Sequence, residues 1–203
     1  MSGCNSKNDK ETIVCGEFTI PHDNLSPVLT GHMDRELSQD DAFYILNDFA
    51  TQANNTDYVS SIELFDGTQS VTLYNDADNN VQVCYYKTED DNATLYTDGK
   101  TVVLDYNGET QALTYKEASE NTELCNIFDS VSPIELMTST INDCLKPDVD
   151  PRTGYTNDDT FIYSGSSFRI SIIDNVLYMS EADCGEYAIV YDANIELEMP
   201  NIN

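Results

Sequence analysis

The stretch Leu95 to Tyr115, LYTDGKTVVLDYNGETQALTY, constrains this chain more than any other. Asp98-Gly99 and Asn107-Gly108 are dipeptides that favour positive φ at successive positions, which a type I′ hairpin turn requires. Each is flanked by β-branched and aromatic residues, so the stretch reads as three strands of an antiparallel meander.

The same two-residue period extends upstream. Strands are predicted at 59–65, 70–75, 81–88, 93–97, 101–106 and 110–116, separated by Asp66-Gly67, the polar turn Asn75 to Asn80, and Glu89 to Asn92. Val102, Leu104 and Tyr106 alternate with Thr101, Val103 and Asp105, and Val81, Val83 and Tyr85 alternate with Gln82, Cys84 and Tyr86. One face of such a sheet is turned to a core and the other is mixed. A meander in which each strand pairs with the next has a low loop-closure cost.

Helical patterns flank the meander. Residues 11–20 form a first strand that Pro21 ends, and the stretch to Glu36 reads as loop. Ser38 then serves as an N-cap, and Ala42, Leu46, Phe49 and Ala53 recur at helical spacing, with Phe43, Ile45 and Ala50 widening the stripe. Downstream, 122–129 forms a short helix, and Ser132-Pro133-Ile134-Glu135 opens another with a capping box and proline at N1. Ile134, Met137, Ile141 and Leu145 continue it to Pro147. Strands resume at 160–164, 167–173, 176–180 and 186–198. The fold class is α+β: a large antiparallel sheet covered on one face by about three helices. A tether at 1–10 precedes a single domain at 11–203.

Charge narrows the partners. Nine Lys and Arg stand against 37 Asp and Glu, a formal net charge of -28 over 203 residues. Such a surface repels phosphate backbones and anionic headgroups, so nucleic acid is excluded as a partner. No stretch approaches the ~18 to 20 apolar residues of a transmembrane helix. Ser2-Gly3-Cys4 matches the end of a bacterial lipobox, and the polar run Asn5 to Lys10 suits a flexible tether. On this reading Cys4 carries a lipid anchor, and the protein is an extracytoplasmic, membrane-anchored lipoprotein; the alternative is a cytoplasmic protein with an accidental match. Cys15, Cys84, Cys125, Cys144 and Cys184 then remain, an odd number that leaves at least one free thiol. A Cys125–Cys144 bridge and buried free cysteines are both open, and no CxxC motif occurs.

Signals for catalysis are sparse. His22 and His32 lie near Asp23 and Asp34 in an irregular loop and read as exposed loop histidines. Asp76 to Asn80, and Asp148, Asp150 through Asp159, are oxygen-rich loops of the kind that bind calcium. Neither follows the EF-hand pattern: Val81 and Thr153 occupy the glycine position, Lys87 stands at the last ligand of the first loop, and Asp159 at that of the second. No cofactor is expected; calcium at Asp148, Asp150 and Asp159 is the candidate exception. A phosphate loop, a GxGxxG fingerprint and a nucleophile elbow are all absent from the sequence. Trp is missing too, which disfavours a sugar platform, although Tyr can substitute.

The element order, with the helix after Ser38, the Asp98-Gly99-Lys100 hairpin leading into Leu104, and the helical insertion at 122–145, resembles the LolA/LppX-like superfamily of lipoproteins and lipoprotein carriers over residues 38 to 195. The resemblance implies a curved, unclosed half-barrel with helices plugging its concave side. It also implies an extracytoplasmic protein whose cavity binds a lipid or other apolar molecule. Phe43, Leu46, Phe49, Val102, Leu104, Tyr106, Ile134, Met137 and Ile141 would line that cavity. The expected function is a non-enzymatic, surface-anchored lipoprotein that binds an apolar or amphipathic ligand between sheet and helices. The alternatives are a cell-surface module with a solid core and a protein partner, and a hydrolase using carboxylates.

Overall fold

A computed structural model describes residues 12–21, 35–36, 39–64, 68–122, 124–125, 153–156, 160–164, 168–181 and 185–201. The chain opens with strands β1 (Thr12–Cys15) and β2 (Phe18–Pro21), then the short β3 (Arg35–Glu36) and helix α1 (Gln39–Asn54). Six strands follow: β4 (Tyr58–Leu64), β5 (Gln69–Asp76), β6 (Val81–Thr88), β7 (Asn92–Thr97), β8 (Thr101–Tyr106) and β9 (Glu109–Thr114). A one-turn helix, α2 (Tyr115–Ser119), comes next. The last strands are β10 (Thr153–Thr156), β11 (Thr160–Ser164), β12 (Phe168–Ile173), β13 (Val176–Glu181) and β14 (Gly185–Tyr191).

Twelve strands form one antiparallel sheet in the order β3-β10-β11-β12-β13-β14-β4-β5-β6-β7-β8-β9. It is unclosed, because its end strands β3 and β9 do not pair with each other. Two meanders meet at a seam where the last strand, β14, pairs with β4 from Gly185↔Leu64 to Tyr191↔Tyr58. Gly185 suits this seam for a steric reason, since a Cβ there would sit 2.6 Å from the Glu63 carbonyl oxygen.

Residues of alternate phase build two unlike faces. On the helix face, Leu46, Phe49, Ala50 and Ala53 of α1 pack against Ile170, Leu177, Met179 and Ile189, all at most 6% exposed. Phe49 also meets the Tyr191 ring edge-to-face at 5.0 Å. Further along the same face, Leu73, Cys84, Leu95 and Val102 are buried with Ala118 of α2 and Leu124. Thr114 and Glu117 form a reciprocal capping box that starts α2 directly from the end of β9. On the opposite face the β1–β2 hairpin lies over the seam. Its Cys15 packs with Val59, Ala188 and Val190 and directs its thiol to the carbonyls of Val59 and Ala188.

The fold is mostly β, with fewer helices than the sequence suggests. Among the described residues there are two, and α2 spans five residues. A helical turn does start beyond Asn121, where the Cys125 amide donates to the Asn121 carbonyl at 3.2 Å. The helix expected at 132–145 lies outside the described residues. The single strand expected at 11–20 is instead a tight hairpin, with Cys15 opposite Phe18 and Gly16 at φ +60°. Within the double hairpin, Asn107 and Gly108 both have positive φ, as a type I′ turn needs. At the other turn only Gly99 does; the Asp98 carboxylate accepts from the amides of Lys100 and Thr101 and sets the bend in place of a second positive φ. The strand expected at 186–198 stops at Tyr191, and Asp192 and Asn194 turn away with positive φ.

Candidate functional site

A recess of about 390 Å³ opens on the hairpin face, over β14, β4, β5 and β6. Its polar lining includes Ser61, Glu63, Ser70, Thr72, Lys87 and Glu186, with the exposed Val14 of β1 at the rim. The space arises from side-chain size. Ser61 and Ala188 face each other across the seam, and Glu63 pairs with Ser70, so small residues floor the depression.

Register aligns the charged groups. Glu186 pairs with Glu63, Glu63 with Ser70, and Ser70 with Lys87, which places all four in one lateral row on one face. Glu186 is only 6% exposed and accepts a hydrogen bond from the Tyr178 hydroxyl at 3.1 Å. Glu63 and Lys87 are exposed. Two residues from Lys87 on β6, Tyr85 is 46% exposed and meets Tyr74 edge-to-face at 5.6 Å. Burial, and then the Glu17 carboxylate, push the Tyr74 phenol up to about 12.

The residues singled out from the sequence fall elsewhere. Leu46 and Phe49 belong to the apolar cluster under α1. Val102 belongs to a second cluster with Leu73 and Leu95, and Leu104 packs at its margin. Tyr106 stands 45% exposed and donates its hydroxyl hydrogen to Asp91. The side chain of Phe43 and all of Cys4, His22, His32, Ile134, Met137, Ile141, Asp148, Asp150 and Asp159 lie outside the described residues. In the oxygen-rich turn at Asp76, both carboxylate oxygens are occupied. One accepts from the Asn79 amide at 2.8 Å; the other accepts from the Asn79 side chain at 2.7 Å and the Leu197 amide at 2.9 Å. Among the described residues no group of three or more His, Cys, Asp and Glu is placed to hold a metal. Among the described residues Cys15, Cys84 and Cys125 carry free thiols, and Cys144 lies outside them.

Sequence reasoning missed Glu63, Lys87 and Glu186. Their local signal is present, because each occupies the polar phase of an alternating strand. What brings them together is the β14–β4 pairing, which joins residues more than a hundred positions apart. No helix among the described residues is long and apolar enough to cross a membrane. Compared with protein-family models and with curated proteins, the chain finds no match.

Proposed function

We propose that this protein is a non-enzymatic binding module, held outside the cytoplasm by a lipid on Cys4, that meets its ligand on the open hairpin face of its sheet. The observation that carries this reading is the contrast between the two faces. Under α1 the inward side chains close on the sheet at 6% exposure or less, while the opposite face keeps a polar recess. That contrast favours the solid-core module over a lipid held between α1 and the sheet. The unclosed antiparallel sheet with helices on one face supports kinship in architecture with the LolA/LppX-like proteins, and fold kinship leaves the ligand to be read from the site. Metabolic labelling with palmitate in a bacterial host tests the anchor: incorporation is expected in the full precursor and is lost in Cys4→Ala. Organic extraction of the purified protein followed by mass spectrometry is expected to release no stoichiometric lipid from the folded domain; a bound lipid would restore the carrier reading.

One observation favours a second reading. Glu63 and Glu186 are paired across the β14–β4 seam and both line the recess, which puts the two carboxyl groups that a glycoside hydrolase uses in one place. Turnover of nitrophenyl glycosides that disappears in Glu63→Gln would establish that activity in place of simple binding.

A further inference from the structure

One side of the twelve-stranded sheet ends on the six-residue β9, the other on the two-residue β3. Antiparallel pairing alternates, so every second residue of β9 turns its amide and carbonyl away from β8. The Tyr115 amide donates to the Lys100 carbonyl at 2.8 Å, which fixes the phase. Glu109, Gln111 and Leu113 bond inward to β8, and Thr110, Ala112 and Thr114 face outward. In agreement, the Glu117 carboxylate accepts from the outward Thr114 amide at 2.8 Å. Thr110 and Ala112 are exposed, and among the described residues no strand pairs with their outer side. The strand reads ETQALT in unbroken register, without the lysine, proline or bulge that ordinarily blocks a sheet edge.

We propose that this edge binds an extended, cationic peptide segment of another protein, which adds to the sheet as one more strand. The outward main-chain groups of Thr110 and Ala112 select an extended backbone, because alternate residues on one side are the spacing of a strand ladder. Charge selects the sign of the segment. A chain with a net charge of -28 repels an acidic segment and a second copy of itself, and draws in a basic one. Glu109 is the one charged side chain of β9, exposed on the same face as Leu113, where a cross-strand lysine or arginine would oppose it. Contact area also argues against a second copy. A strip roughly 20 Å long and about 10 Å deep covers about 200 Å² per partner, far short of the roughly 1,200 Å² in total that holds two folded subunits together.

The residues that line the recess come from other strands, so this inference and the hairpin-face reading stand or fail separately. The test is an NMR titration of ¹⁵N-labelled protein with an acetylated, amidated heptapeptide that alternates lysine and valine. Saturable shifts are expected at the Thr110 and Ala112 amides. Glu109 draws the lysines to its own face, which turns the valine amides toward β9. N-methylation of the valines should therefore abolish binding, and N-methylation of the lysines should leave it close to the parent peptide. Ala112→Pro removes an amide that β8 does not use and should abolish the shifts while the spectrum stays dispersed. Glu109→Lys leaves the backbone as it is and should weaken binding about three- to fivefold, the worth of one exposed charge pair. Absence of saturable shifts, equal binding of the two N-methylated peptides or of a glutamate–valine analogue, or unchanged binding by either variant would each overturn the proposal. A concentration-dependent dimer in sedimentation that Ala112→Pro dissolves would overturn it in favour of a second copy.

Discussion

Single side chains tie the C-terminal segment to the middle of this sheet. Asp76 accepts from the turn that follows it and from Leu197 of the C-terminal segment, and Asp57 holds the same segment through the Ile195 amide at 3.1 Å. Burial pushes the Asp76 carboxyl up, but hydrogen bonds from Asn79, Leu197 and Asp78 outweigh it and hold the group below the usual 3.8. A carboxyl lowered in the folded state stabilises above its unfolded value, and that contribution is lost as pH falls through the lower folded value. Urea unfolding should therefore show wild-type stability declining below about pH 4, with a flatter acid limb and a lower midpoint at neutral pH in Asp76→Asn. The cysteines make a second prediction. Burial, the largest influence on Cys15, pushes its thiol up to about 12, and burial does the same for Cys84. Because the thiolate is the reactive form, iodoacetamide at pH 8 should leave both unmodified in the native protein and alkylate both in urea, as read by peptide mass spectrometry. Their behaviour as small buried hydrophobes is among the alternatives the sequence leaves open, because cysteine count alone does not give separation in space.

At the scale of elements, α1 does most of the covering on its half of the sheet. Its stripe is legible in the sequence because Leu46, Phe49 and Ala53 repeat at a period that no strand shares. Replacing Phe49 by Ala removes the ring that fills the space between Ile189 and Tyr191, and the expected loss is about 3 to 5 kcal/mol in urea unfolding. The strands from β4 to β9 are legible for a similar reason: their limits follow the alternation and the turn residues to within a residue or two. Three elements escape such reading. The β1–β2 hairpin hides in an apolar run whose bend, Gly16-Glu17, carries one glycine and no Asn or Asp partner. β3 and β10 are two and four residues long, too short to show a period; β10 is a strand because it pairs with β11 over its whole length, and β3 because it pairs with β10 at Tyr155↔Glu36. The recess is hidden for a related reason, as its residues come from strands whose adjacency is a property of the completed sheet.

For the molecule as a whole, the seam between β14 and β4 decides whether there is one sheet or two. Gly185 leaves space for the Glu63 carbonyl, and adding a methyl group at 2.6 Å from that oxygen forces the strands apart where pairing begins. Gly185→Ala should destabilise the protein by about 1 to 3 kcal/mol, the usual cost of overpacking. Amide hydrogen exchange should localise the loss of protection to 58–64 and 185–191, with β7 to β9 less affected. The seam also sets a timetable. When β4 leaves the ribosome its partner is still ~130 codons away, and at ~5 to 20 residues per second that interval lasts about 7 to 26 s. Throughout it the edge of β4 is open to any neighbouring strand, and nascent chains in one polysome are the nearest source of one. A holdase that keeps the chain extended until Tyr191 has emerged is therefore the expected aid to its biogenesis.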